Sequence, residues 1–174
     1  VCRNHSITCI AATKAFNMAG LQTAAVSIPN EGLRNIMERG LNSDEVAEPN
    51  YFAIDAVIAA FTNGKEWLVQ LRQYISDNRK MATEYIKKEL PELTVVKQKA
   101  TYLLWIDCKK ITHDTMSLCE HIRKTTGLFI TEGGQYRGDG AGFIRINIAC
   151  PKSQVEEGLR RLKEGVSSYF SSTY

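Results

Sequence analysis

Apolar and polar positions change period along this chain, and the changes mark its elements. Residues 6–12 form an apolar, β-branched run that reads as a buried strand. Residues 22–28 read as a second strand, stopped by Pro29-Asn30. Residues 31–41 then predict a short helix with Asn30 as its N-cap. Pro49-Asn50 opens a further helix with Tyr51, Ile54, Val57, Ile58 and Phe61 at helical spacing, and Thr62-Asn63-Gly64 stops it. Residues 65–90 predict one long helix carrying Trp67, Leu68, Leu71, Tyr74 and Ile75 on one stripe, ended by Pro91. Aromatics at these spacings read as core.

After Pro91 the pattern shortens. Residues 93–97 and 101–107 predict strands, 112–125 a helix, 128–131 a short strand and 132–142 a Gly-rich loop. In residues 143–149, Ile144, Ile146 and Ile148 share one face, and Phe143, Arg145, Asn147 and Ala149 the other. The isoleucine face is the expected core. A terminal helix from 151 to about 170 carries Val155, Leu159, Leu162 and Val166. This rear segment reads as a small sheet with helices packed on it, which makes the fold class α/β. No internal repeat or low-complexity run occurs.

Composition changes this picture little. The 174 residues are 44% hydrophobic and 24% charged, as in an ordinary soluble protein. A net charge of +3, with basic residues dispersed among acids, gives no argument for nucleic acid. No apolar stretch is long enough to span a bilayer, and no signal peptide is evident. Cys2, Cys9, Cys108, Cys119 and Cys150 include no CxxC pair, and three lie in apolar runs. A reducing cytoplasm is the simpler expectation. His5, His113 and His121 lack zinc-ligand spacing, so no metal is expected. The chain begins without Met and enters a buried-type strand almost at once, and the expectation is that it is the C-terminal part of a longer protein.

Candidate chemistry begins at Lys14. It follows the first strand, where open α/β sheets place ligands. A lysine desolvated there loses pKa and becomes a nucleophilic amine, suited to a Schiff base with pyridoxal phosphate (PLP). By position alone, a lysine after a strand is usually an ordinary solvated surface residue. The second candidate is Arg145, a guanidinium inside a strand. Such a charge needs a partner or a ligand, and its fork matches a carboxylate. A salt bridge to a nearby acid, or plain exposure, is the alternative.

The string Thr13-Lys14-Ala15-Phe16-Asn17-Met18-Ala19-Gly20-Leu21-Gln22 resembles the cofactor-lysine segment of class I/II aminotransferases, PLP-dependent enzymes of fold type I. More narrowly, it resembles their MalY/PatB-like cystathionine β-lyase subgroup. The strand at 143–149 resembles the segment whose arginine binds the substrate α-carboxylate, and Gly133 to Gly142 resembles the loop before it. Lys14 and Arg145 lie 131 positions apart, near the family's spacing. Two positions depart from the wider family: Gln22 replaces an arginine that pairs with the cofactor phosphate, and Ala11 replaces a serine. Both departures put strong phosphate binding by this segment in doubt.

The resemblance covers the C-terminal half of such an enzyme. It implies the C-terminal part of the PLP-binding large domain at 1–64, a bridging helix at 65–90 and the small domain at 91–174. It implies PLP on Lys14, with Thr13 helping to position the lysine or phosphate. A backbone-capping role for Thr13 is the alternative. Lys14 would move the Cα proton and Arg145 would hold the α-carboxylate. The implied activity is β C–S lyase action on a small sulfur amino acid; an aminotransferase is the runner-up. A homodimer is implied for the longer protein. The chain alone is expected to be inactive, or to serve only as an interaction module, with its strand near 6–12 open to association.

Overall fold

The computed structural model describes residues 2–172. The chain divides into two units, one reaching Leu71 and the other starting at Arg72, with the division inside a long helix.

In the first unit, β1 (Thr8–Ile10) pairs antiparallel with β2 (Ala25–Ser27) in the register Thr8↔Ser27, Cys9↔Val26, Ile10↔Ala25. Both strands are shorter than the apolar runs around them, and both are exposed. The buried strand expected at 6–12 is thus corrected: Ile7 and Ile10 keep 49% and 48% exposure. A two-stranded ribbon offers each strand one neighbour and no covering layer.

Helix α1 (Glu31–Ser43) starts where its cap predicts. Asn30 Oδ1 accepts a hydrogen bond from the Leu33 amide at 3.0 Å. α2 (Ala53–Asn63) and α3 (Lys65–Glu89) meet at Gly64. A Cβ there would lie 2.4 Å from the Ala60 carbonyl oxygen and 2.7 Å from Phe16 Cε1, so glycine is what admits the Phe16 ring to this corner. The core role expected for the apolar stripe of α2 and the start of α3 is also corrected. Tyr51, Ile54, Ile58, Phe61 and Trp67 are all exposed, Tyr51 at 88%. Their helical period is right, but no layer of this unit covers them.

The second unit has such a layer. β3 (Thr94–Val95), β4 (Leu103–Asp107), β5 (Thr131–Glu132) and β6 (Phe143–Asn147) form an antiparallel sheet in the order β3-β4-β6-β5. Leu104, Ile106, Ile144 and Ile148 are fully buried, as the alternation in 143–149 requires. They pack with Ala82 and Ile86 of α3, Leu118 and Ile122 of α4 (Thr115–Thr126), and Leu159, Leu162 and Val166 of α5 (Lys152–Ser172). The strand expected at 128–131 shrinks to Thr131–Glu132. Gly127 ends α4 in the left-handed conformation (φ 71°), and the Leu128 amide still bonds back to Thr126 Oγ1, so pairing with β6 begins only at Thr131↔Arg145.

Two buried polar side chains fix β6 at its ends. Thr115 Oγ1 lies 2.9 Å from the carbonyl oxygens of both Ala141 and Phe143 and shares its proton between them. Asn78 Nδ2 donates to the carbonyls of Ile148 and Cys150, each at 3.0 Å. Arg145 stands between these two anchors. Among the described residues, no helix is long and apolar enough to cross a membrane.

Candidate functional site

In the first unit, Thr13 and Lys14 share one tight turn directly after β1. The Phe16 amide donates to the Ala12 carbonyl at 2.9 Å and the Met18 amide to the Thr13 carbonyl at 3.0 Å. Buried Ala12 holds the start of this turn, and Phe16 pins its middle. The Phe16 ring meets Phe61 edge-on at 5.5 Å and stacks on Trp67 at 6.0 Å. Asn17 and Gln22 adopt positive φ, of 54° and 48°, which turns the chain back toward β2.

Lys14 is exposed, so the desolvation expected of it is not present in this unit. Its amine has no ion pair or hydrogen bond among the described residues, and neither has the Thr13 hydroxyl. Thr13 therefore caps no backbone amide with its side chain. An unpaired primary amine beside a free hydroxyl fits an aldehyde bearing a phosphate. Gln22, exposed at the end of the same segment, adds an amide but no positive charge.

In the second unit, Arg145 lies on the sheet face opposite the helices, on β6 between its neighbours β4 and β5. It is cross-strand partner to Trp105 on one side and Thr131 on the other. It has no carboxylate within ion-pair distance among the described residues. Its Nη2 donates to Thr131 Oγ1 at 3.5 Å, the long end of hydrogen-bonding reach, and its guanidinium carbon lies 4.9 Å from the centre of the Tyr136 ring. A cavity of about 320 Å³ runs along β6 and touches Arg145, but much of its lining is core residues on the helix side of the sheet, such as Ala82, Ile146, Ile148, Val155 and Leu159. A guanidinium without a counter-charge keeps its N–H donors available to a carboxylate.

The Gly-rich loop folds over this face. Cβ atoms at Gly133 and Gly140 would lie 2.4 Å and 2.2 Å from each other's carbonyl oxygens, and one at Gly133 would also lie 2.8 Å from Trp105 Cη2. Only glycines allow so close an approach. Trp105 in turn stacks on Phe143 at 5.4 Å and meets Tyr136 edge-on at 5.7 Å. Lys109 closes the edge of this layer, with its Nζ 4.5 Å from the centre of the Phe143 ring and 3.4 Å from Asp139 Oδ2.

The other reactive groups build no competing site. All five cysteines are free. Burial pushes the Cys108 and Cys119 thiols up to about 12, so both stay protonated and unreactive. Among the described residues, no group of His, Cys, Asp and Glu could hold a metal.

Reading from the sequence alone missed Tyr136, Thr131, Asn78 and Thr115. Asn78 and Thr115 carried a signal: each is a polar residue at a core position of a helical stripe, Ile75-Asn78-Ala82-Ile86 and Thr115-Leu118-Ile122. Thr131 acquires its place only from the register.

A lysine on a pinned turn and an unpaired strand arginine set the frame for comparison with known proteins. The chain is 34% identical over 162 residues to cystathionine β-lyase PatB of Bacillus subtilis, a match covering 93% of this chain and 42% of PatB. It is 32% identical to Protein MalY of Escherichia coli, covering 86% of this chain and 39% of MalY. The homologues of this chain are thus MalY/PatB cystathionine β-lyases, matched over their C-terminal part. A PLP-bound C-S lyase from Staphylococcus hominis superposes with a TM-score of 0.79 at 30% identity, over 92% of this chain and 42% of that one. The fold is therefore the C-terminal portion of PLP-dependent fold type I. No family model matches the chain. The chain spans about 42% of the length of PatB and of the Staphylococcus hominis lyase.

Proposed function

We propose that this chain supplies the lysine and carboxylate-binding half of a PLP-dependent β C–S lyase acting on a small sulfur amino acid of the cystathionine type. The observation that carries the reading is that the two cations of the matched segments, Lys14 and Arg145, both stand without an acidic partner. On this reading residues 1–64 complete a large cofactor domain, 65–90 bridge and 91–174 form the small domain.

Lys14 would hold the cofactor through its amine, and Thr13 would offer its hydroxyl to the lysine or the phosphate. Bound PLP supplies an electron sink for the pair left on the substrate Cα. Arg145 would grip the α-carboxylate with parallel N–H donors and so fix the direction of the Cα–H bond. The Lys14 amine would take that proton as general base. With Gln22 in place of a cation, the phosphate charge would be met mainly by residues beyond this chain, so the chain alone is expected not to turn over substrate. The longer protein is expected to be a cytoplasmic homodimer.

Aminotransferase activity is the second reading, favoured by LL-diaminopimelate aminotransferase of Halothermothrix orenii, which is 24% identical over 87% of this chain. Product analysis on the full-length protein separates the two. A lyase releases pyruvate from cystathionine with no added keto acid. Amino-group transfer that depends wholly on an added keto acid would overturn the lyase reading.

A further inference from the structure

We infer that Tyr136 is a positioning residue for Arg145: its ring holds the guanidinium in place without neutralising it. The inference rests on the reading of Arg145 as the carboxylate clamp.

A guanidinium drawn partly out of water needs compensation. An acidic side chain would give it, but would also compete with any incoming carboxylate for the same N–H fork. No acid fills that place among the described residues. The two groups that do meet Arg145, the Tyr136 ring face at 4.9 Å and the Thr131 hydroxyl at 3.5 Å, carry no formal charge. The negative face of an aromatic ring attracts a cation and leaves its full charge available to an anion on its free edge.

The surroundings show that this ring is itself held. Tyr136 meets Trp105 edge-on at 5.7 Å, Trp105 is the cross-strand neighbour of Arg145, and Trp105 is stacked on Phe143. The Tyr136 amide donates to the Gly133 carbonyl at 3.0 Å, which begins a single tight turn, and Gly133 and Gly140 close the loop that brings this turn over β6. On this account the close approach at Gly133 and Gly140 sets the ring over the guanidinium. The Tyr136 hydroxyl makes no hydrogen bond among the described residues, so the ring alone does the positioning.

The test uses NMR of the arginine side chains in the 174-residue chain, with propionate as the probe. Arg145→Lys assigns the Arg145 Nε–H signal. That signal should carry an upfield ring-current shift, retained in Tyr136→Phe and lost in Tyr136→Leu, while core signals stay unchanged in both. Propionate should shift the Arg145 signal, with a dissociation constant raised about three- to tenfold by Tyr136→Leu and left within about twofold by Tyr136→Phe. An Arg145 signal identical in Tyr136→Leu and the parent chain would overturn the positioning role, even with propionate bound. Equal weakening by Phe and Leu would also overturn it, because it would assign the effect to the hydroxyl. A ring-dependent shift with no response to propionate would instead sink the clamp reading, and the positioning role with it, while the Tyr136 contact stood.

Discussion

The two units carry similar apolar periodicity and bury it very differently. In the second unit, Leu104, Ile106 and Ile144 of the sheet close against three helices. In the first, the strands are exposed and α2 turns Ile54, Ile58 and Phe61 to solvent. Periodicity states which face of an element is apolar; only a second layer makes that face a core. The Lys14 turn therefore sits on the less covered unit, steadied locally by Phe16, whereas Arg145 sits on a strand anchored at both ends. The proposal that a longer protein completes the site accounts for this contrast, because its remaining residues would cover the first unit.

The contrast is broken most severely through the core. Leu104→Ala or Ile144→Ala should cost about 2–5 kcal/mol in urea unfolding followed by a signal from the second unit. Ile54→Ala in the first unit should change stability by no more than about 0.5 kcal/mol. Comparable losses at both places would show that the first unit has a covering layer after all.

Next come the β6 anchors. Asn78→Ala should cost about 1–3 kcal/mol by leaving the Ile148 and Cys150 carbonyls unpaired, and Thr115→Val should cost a similar amount at the other end. Amide exchange along 143–148 should speed up in both variants. Unchanged exchange would mean that the sheet register alone holds the strand.

How far the sequence announced all this depends on the link in question. The cap at Asn30, the break at Pro91 and the isoleucine face of β6 were legible because each is local chemistry. The exposure of Ile10 and Tyr51 was not legible from periodicity, because burial depends on what lies opposite. The candidate cations were recognisable by their segments. Tyr136 was hidden, since its role exists only once Gly133 and Gly140 have folded the loop over Arg145.

A smaller effect sharpens the comparison through pH. Cys108 and Cys119 have thiols pushed up to about 12 by burial, and both lie in the second unit. A raised folded-state value means that their contribution is complete below the ordinary thiol range and is lost as pH rises toward 12. The Tm of the second unit should fall between pH 9 and 12, and Cys108→Ala should flatten that fall. The smallest effect expected is at Glu157. Hydrogen bonds from Arg160, and then from Arg161, lower its carboxyl to about 2. Its contribution is present above the ordinary carboxylate range and is lost as pH falls through about 2, so Glu157→Gln should lower Tm slightly at pH 7 and by less at pH 2.

The central claim is that Lys14 is the cofactor lysine, and borohydride trapping tests it most directly. The full-length protein would be mixed with PLP and reduced, and the adduct located by peptide mass spectrometry, with Lys14→Ala as the control. The account predicts one dominant adduct, on Lys14, that is absent from the control. Adducts scattered over other exposed lysines, and unchanged in the control, would contradict it.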